Sequence, residues 1–402
     1  MSEPLNIMSP EFFTDPYPHF DRLRRETPVV QVDPMGIWAV TRYDDVNHVL
    51  RTPEVFSSAA FQVVFRMLSP AMTEGDTTLV DSMIGRDPPE HTRLRRLVSR
   101  AFTPEAIKVL EPRIRDLARR LLDSLRGRQE FDLVHDFSMP LPVIVIAEML
   151  GVDPDRKEDF KRWSDDTVSL SSQPLHQDPD EIERRVKSRQ EFHGYFREMI
   201  EARRLTPRND LITALIKANE ESDALTADEI LGMTVLLLVA GNETTTNLIA
   251  NAVRQLLQHP DIEARLRANP KLIPNFIEEV LRYDSPVLGL FRLAKEETVL
   301  GGQTIPEGAF VLPFFASANR DEKRFTNADR FDIDRDSRGH LAFGYGIHFC
   351  LGAPLARVEA RIGIEELLTT LPSLQAVSGD VEWIDSFILH APKRLLLRYS
   401  GD

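Results

Sequence analysis

Apolar positions recur every three to four residues over most of this chain, the spacing of helices that bury one face. The segments at 104–128, 180–204 and 354–371 carry that pattern most clearly. Period-two alternation is confined to short stretches: 38–43, a hairpin around glycine within 297–315, and a closing strand at 394–400. The pattern predicts a mainly α fold with a minor β part. No repeat, low-complexity segment or flexible linker interrupts it, which favours one domain over residues 1–402.

The longest helical pattern begins at Thr226, where Thr226 and Glu229 form a capping box, and runs to about His259, where Pro260 stops it. At 1.5 Å per residue such a helix is about 50 Å long and should cross the whole domain. Its middle, AGNETTT at 240–246, places a glycine, an asparagine and three β-branched threonines after a very apolar turn. These residues cost helix stability, and Thr hydroxyls can bond back to carbonyls and bend the axis. Two readings stay open. One is a helix end with a fresh N-cap at Thr244; the other is a local distortion beside a ligand, with Glu243 and Thr244 as its polar tools.

Composition narrows the function. The chain has 402 residues, 42% hydrophobic and 28% charged, as ordinary globular proteins do. A net charge of −14 argues against binding nucleic acid or anionic membranes. Apolar runs such as 233–241 fall short of the roughly 20 residues that span a bilayer. The N-terminus lacks the basic start and apolar run of a signal peptide, so a cytoplasmic location is expected. The single cysteine, Cys350, can form neither an internal disulfide nor a multi-cysteine metal site, which suits a reducing compartment.

Three constellations carry candidate chemistry. Glu279 and Arg282 lie three apart on one helical face, a spacing most often met as a solvated ion pair. His91 and Arg95 lie four apart, where the bland alternative is a basic surface stripe. Cys350 sits in HLAFGYGIHFCLG (340–352), just before a helix start with Pro354 in its first turn. A lone cysteine is usually a small buried hydrophobe. A helix N-terminus, however, favours thiolate over thiol, and Gly344, Gly346 and Gly352 allow close approach of a flat partner.

At these residues the chain resembles the cytochrome P-450 haem-thiolate monooxygenases in their soluble bacterial form. The signature Phe-Gly-x-Gly-x-His/Arg-x-Cys-x-Gly is met by Phe343, Gly344, Gly346, His348, Cys350 and Gly352. Glu279 and Arg282 match the family's Glu-x-x-Arg, while Ala240, Gly241, Glu243 and Thr244 match its oxygen-activating helix motif. The likeness extends over essentially the whole chain. Ala328 stands where proline is common, a small departure that bears on Arg330.

The resemblance implies one haem b (heme b, iron protoporphyrin IX) with Cys350 thiolate as fifth ligand, which favours O–O cleavage of dioxygen. It implies that His91, Arg95, Arg292 and His348 pair with the haem propionates. Thr244 would hold a hydrogen-bonded water while Glu243 relays protons from solvent. Glu279 and Arg282, with Arg330, would form a buried network under the thiolate loop. The substrate pocket would be lined by Phe61, Phe65, Leu68, Val239, Val287, Leu288, Leu290, Ile388 and Leu389, an apolar set that calls for a hydrophobic small molecule.

The only Gly-x-Gly among 19 glycines is 344–346, so no dinucleotide fingerprint and no reductase domain is present. Electrons would come from an external ferredoxin and its NAD(P)H ferredoxin reductase, docking near Arg93, Arg96 and Arg100, and the enzyme would act as a monomer. The alternatives are a peroxide-driven peroxygenase and a non-catalytic haem sensor. The intact Glu243–Thr244 pair counts against both. A cysteine hydrolase using His348 is weaker still, because residues two apart on an extended loop point to opposite sides.

Overall fold

The computed structural model describes residues 5–68, 82–100, 102–172, 178–218, 224–377 and 381–399; within these, the side chains at 65, 68, 104, 157, 167–172 and 179 are left aside. Its first helices are α1 (Pro10–Thr14), α2 (Tyr17–Glu26), α3 (Tyr43–Arg51), α4 (Ala60–Leu68) and α5 (Glu90–Ser99). There follow α6 (Pro104–Asp123), α7 (Pro140–Leu150), α8 (Lys157–Ser172), α9 (Pro179–Leu205) and α10 (Leu211–Lys217). The remainder are α11 (Ala227–Gln258), α12 (Pro260–Ala268), α13 (Ile273–Tyr283), α14 (Phe315–Ala318) and α15 (Ala353–Thr370). The chain divides into two compact units.

The first unit, Met1–Ser57, Glu111–Leu141 and Thr244–Asp402, holds all the strands of the described residues. These are β1 (Val29–Val32), β2 (Ile37–Val40), β3 (Phe56–Ser57), β4 (Phe131–Asp132), β5 (Arg292–Ala294), β6 (Thr298–Leu300), β7 (Gln303–Ile305) and β8 (Phe310–Pro313). Near the C-terminus come β9 (Leu374–Ala376), β10 (Glu382–Trp383), β11 (Pro392–Arg394) and β12 (Leu396–Tyr399). The main sheet runs β1-β2-β8-β5-β3, and its β2–β8 pair is parallel, with Trp38 opposite Val311. The β6–β7 hairpin turns on Gly301 and Gly302, both at positive φ as a type I′ turn requires. Val40, Val46, Phe56, Val311 and Leu341 share the core behind this sheet. The alternation at 38–43 ends earlier than expected: β2 stops at Val40, and the Asp321 carboxylate accepts the Tyr43 amide at 2.8 Å, starting α3 there.

The second unit, Ser58–Leu110 and Pro142–Glu243, is helical. Helices α8 and α9 run antiparallel and join through Phe160, Trp163, Phe192 and Phe196, with the Phe192 and Phe196 rings 4.5 Å apart. Arg203 and Asp210 pair with both side chains buried, tying α9 to the start of α10. Among the described residues no helix is long and apolar enough to cross a membrane.

Candidate active site

Cys350 is presented by a loop whose backbone closes on itself. The Asn319 side-chain oxygen accepts the Leu341 amide at 2.6 Å, the Gly344 amide reaches Leu341 O at 2.8 Å, and the Cys350 amide reaches Phe343 O at 2.9 Å. Gly344 and Gly346 lie at φ +68° and +73°, the left-handed region that an L side chain resists. A Cβ at Gly346 would also strike the Leu50 carbonyl, so glycine is required twice over. Cys350 is half-buried, and α15 begins three residues later at Ala353. A Cβ at Gly352 would stand 3.9 Å from the Cys350 sulfur, so glycine keeps that flank clear. His348 is half-buried in the single turn Gly346–His348, and Arg292 is buried on β5 with Nη1 donating to Phe291 O at 2.8 Å.

Beneath the loop lies a saturated polar network. Glu279 and Arg282 are both 0% exposed, and Arg282 donates through Nε and Nη2 to the two Glu279 oxygens at 2.8 and 2.7 Å. Its Nη1 reaches Asn319 O and Ala328 O at 2.9 and 2.8 Å, and Nη2 also reaches Arg330 O at 3.0 Å. Glu279 further accepts from the Asp332 amide at 2.9 Å, the Ser337 hydroxyl at 2.6 Å and Arg335 Nε at 3.3 Å. Arg330 thus takes part through its backbone carbonyl while its residue is exposed, and Arg335 supplies the second guanidinium. Without a proline at 328, Ala328 still delivers its carbonyl.

The neighbouring Glu278 makes the link to the cysteine helix. It accepts from Arg357 Nε and Nη2 of α15 at 2.6 and 2.9 Å and meets His340 Nε2 at 3.1 Å. Burial opposes its ionisation, but hydrogen bonds from His340 and Arg357 hold its carboxyl down at about 2. Arg357 in turn lies over the Phe343 ring, 4.5 Å from its centre.

Helix α11 is continuous from Ala227 to Gln258, so Thr244 is not a new N-cap. Thr226 and Glu229 form the expected capping box, Thr226 N to Glu229 Oε2 at 2.8 Å and Glu229 N to Thr226 Oγ at 3.1 Å. Tertiary bonds carry the helix through its threonines: Thr246 donates to Ser138 O at 3.2 Å, and Thr245 bonds the buried Glu359 carboxyl of α15. Burial pushes Glu359 up to about 8, so it is a neutral acid at pH 7. Residues 231–238 and 245–253 are buried, while between them Ala240 is exposed and Val239, Gly241, Glu243 and Thr244 are half-buried. The helix is thus buried on both sides of one turn that is more open, and that turn carries an acid and a hydroxyl.

The remaining sequence candidates fall into several settings. On α5 of the second unit, His91 is 1% exposed and Arg95, one turn on, is half-buried. Arg93 pairs with Glu229 of the capping box, which removes it from the expected basic patch; Arg96 and Arg100 are exposed. Phe61 is half-buried on α4, whereas the Phe65 and Leu68 side chains lie outside the described residues. In the first unit Val287 and Leu290 pack against the sheet core, and Val287 bridges Leu389. Leu288 is 0% exposed, its amide bonded to Ile388 O at 2.7 Å; Leu389 is buried and Ile388 half-buried. Leu288 is thus a core residue in this structure.

A thiol at a helix start, unobstructed on its Gly352 side and framed by Phe343 and Phe349, suits a flat macrocycle whose metal takes one soft anionic ligand. The residues fit haem. A sequence model of the family Cytochrome P450 matches residues 16–396, nearly the whole chain. Cytochrome P450 109 of Bacillus spizizenii is 44% identical over 95% of this chain and 91% of its own length. The 6-deoxyerythronolide B hydroxylase of Saccharopolyspora erythraea is 36% identical, covering 98% of this chain and 99% of its own. The solved structure of CYP109Q5 from Chondromyces apiculatus superimposes with a TM-score of 0.91 at 45% identity, covering 99% of this chain and 98% of that one. The chain belongs to the cytochrome P450 family, and it is a haem-thiolate monooxygenase of the bacterial type.

Sequence reading missed Glu278, His340, Arg335, Arg357 and Glu359. Glu278 beside Glu279 and Arg357 after the cysteine were visible as charges at helical spacing, but their pairing joins segments 79 residues apart.

Proposed function

We propose that the enzyme inserts one oxygen atom of O2 into a hydrophobic small molecule, within one catalytic domain supplied with electrons by a separate ferredoxin and its NAD(P)H reductase. Haem, held through Cys350, supplies the binding and reductive activation of dioxygen. His91, Arg95, Arg292 and His348 hold its propionates. Val239, Ala240 and Gly241 leave room beside α11 for haem and substrate.

The observation that carries this reading is the open turn of α11 with Glu243 and Thr244 accessible between buried flanks. There the Thr244 hydroxyl would hold and orient a water, and Glu243 would exchange protons with solvent. Hydroxylation of a hydrophobic small molecule is also supported by the named hydroxylase relative, and by CYP109E1 from Bacillus megaterium, solved in complex with corticosterone.

Product formed per electron consumed tests the reading. Thr244→Ala should keep haem and substrate binding but release most electrons as hydrogen peroxide. Glu243→Gln should slow turnover by about 10–100-fold, in the range of a lost acid–base group. Wild-type coupling in Thr244→Ala would mean that protons arrive by another route.

A further inference from the structure

The α8–α9 pair of the second unit carries a cation that the reading above does not use. Arg185 lies on the inward face of α9, in line with the buried Ser188 and Phe192, and its side chain is 4% exposed. A guanidinium stays charged under all conditions and brings five N–H donors. Here Nη2 donates to Glu181 Oε2 at 3.0 Å, and Glu181 is itself 44% exposed. Nε and Nη1 are shut off from solvent and have no hydrogen-bond partner among the described residues. Buried donors are almost always satisfied, and charged ones most of all, so two open donors on one guanidinium call for an acceptor that the described residues do not supply.

The register of the helices says where that acceptor would be. Arg162 Nη1 of α8 meets the Ser188 hydroxyl of α9 at 3.3 Å, and Arg184 Nε of α9 meets Asp166 of α8 at 3.3 Å. Arg185 therefore stands level with residues 164–166 of α8. At that level the Ser164 hydroxyl accepts from Asn242 of α11 at 2.9 Å. Asn242 is itself buried and stands next to Glu243 of the open turn. The empty donors thus sit at the level where α8 bonds α11 beside the open turn.

We propose that Arg185 is the anchor for a substrate carboxylate, and that the preferred substrates are apolar carboxylic acids held by their charged end at α9 with the apolar body toward α11. The planar fork of the guanidinium matches a carboxylate, and one negative charge is what the place can accept. A phosphate would add a second negative charge beside Glu181 and the buried Asp166. This assignment rests on the monooxygenase reading for what happens to the bound acid.

The test uses the full-length haem-loaded enzyme, its haem first verified by the band of the reduced carbon monoxide complex. Dodecanoate and 1-dodecanol share one apolar body and differ in the charged end. Calorimetry gives each Kd without relying on haem, and the haem spin-state change reports whether the ligand reaches the oxygen site. Dodecanoate should bind about ten-fold more tightly than dodecanol, the yield of one charged hydrogen-bonded contact. Arg185→Gln should erase that preference by weakening dodecanoate alone, leaving dodecanol within about two-fold of wild type, and Arg185→Lys should keep part of it. Equal affinities in the wild type would overturn the proposal without any variant. So would an Arg185→Gln enzyme that weakens both ligands alike, since that marks a structural arginine. Dodecanoate preference by calorimetry with no accompanying spin-state change would instead keep the anchor and count against the monooxygenase reading of the bound acid.

Discussion

Two buried arginines divide this molecule's polar interior into two kinds. Arg282 in the first unit makes five hydrogen bonds, using all three nitrogens on one carboxylate and three carbonyls. Arg185 in the second unit has one bond from Nη2 and two nitrogens without a partner among the described residues. Both are almost wholly withdrawn from water, so burial does not separate them. Satisfaction does. A saturated guanidinium has no donor left for a ligand and can only hold structure, whereas an unsaturated one keeps a place for an anion.

The largest expected effect is on the saturated side. Glu279→Ala leaves Arg282 charged, buried and without its carboxylate, a change that costs about 3–5 kcal/mol against a stability of roughly 5–15. Little soluble haem-loaded protein should result, because the loop from 319 to 337 loses the group that gathers it under Cys350. Near-normal yield and haem content would instead put the pair in the weak class of exposed ion pairs, worth about 0–1 kcal/mol.

Smaller effects follow from two carboxyls of opposite sign. Glu278 titrates at about 2 against an ordinary value of 4.5, so it stabilises the fold above the ordinary value and loses that contribution as pH falls toward 2. Glu278→Gln should cost about 1–3 kcal/mol at pH 7 and progressively less below pH 4.5. Glu359 titrates at about 8, so its burial begins to cost stability as pH rises past 4.5, and the cost levels off above 8. Glu359→Gln should match wild type near pH 4.5 and exceed it at pH 9 by about 1–3 kcal/mol. Denaturant unfolding at pH 3, 4.5, 7 and 9 measures both: a Glu278→Gln difference that does not shrink from pH 4.5 to 3, or a Glu359→Gln difference that does not grow from pH 4.5 to 9, would contradict the assigned environment.

What could be read from the chain divides along the same line. The capping box at Thr226, the helix pattern of α11 and α15 and the glycines around Cys350 are local, and each was legible from spacing alone. Continuity of α11 through Thr244, Thr245 and Thr246 was not, because Ser138 and Glu359, distant in sequence, decide it. The three-residue spacing of Glu279 and Arg282 fits a surface pair equally well; their burial comes from carbonyls of residues 319, 328 and 330. Arg185 carried no signal at all. In sequence it is one more charge on a charged helix, and only packing shows that it faces inward.

The central claim is that the chain's one thiol is the ligand that makes its haem an oxygen-activating centre, and the spectrum of the reduced carbon monoxide complex tests it most directly. Wild-type protein should show the red-shifted Soret band of thiolate-ligated iron, and Cys350→Ala should lose that band while retaining the helical circular dichroism of the fold. A Cys350→Ala protein that keeps the red-shifted band would contradict the account.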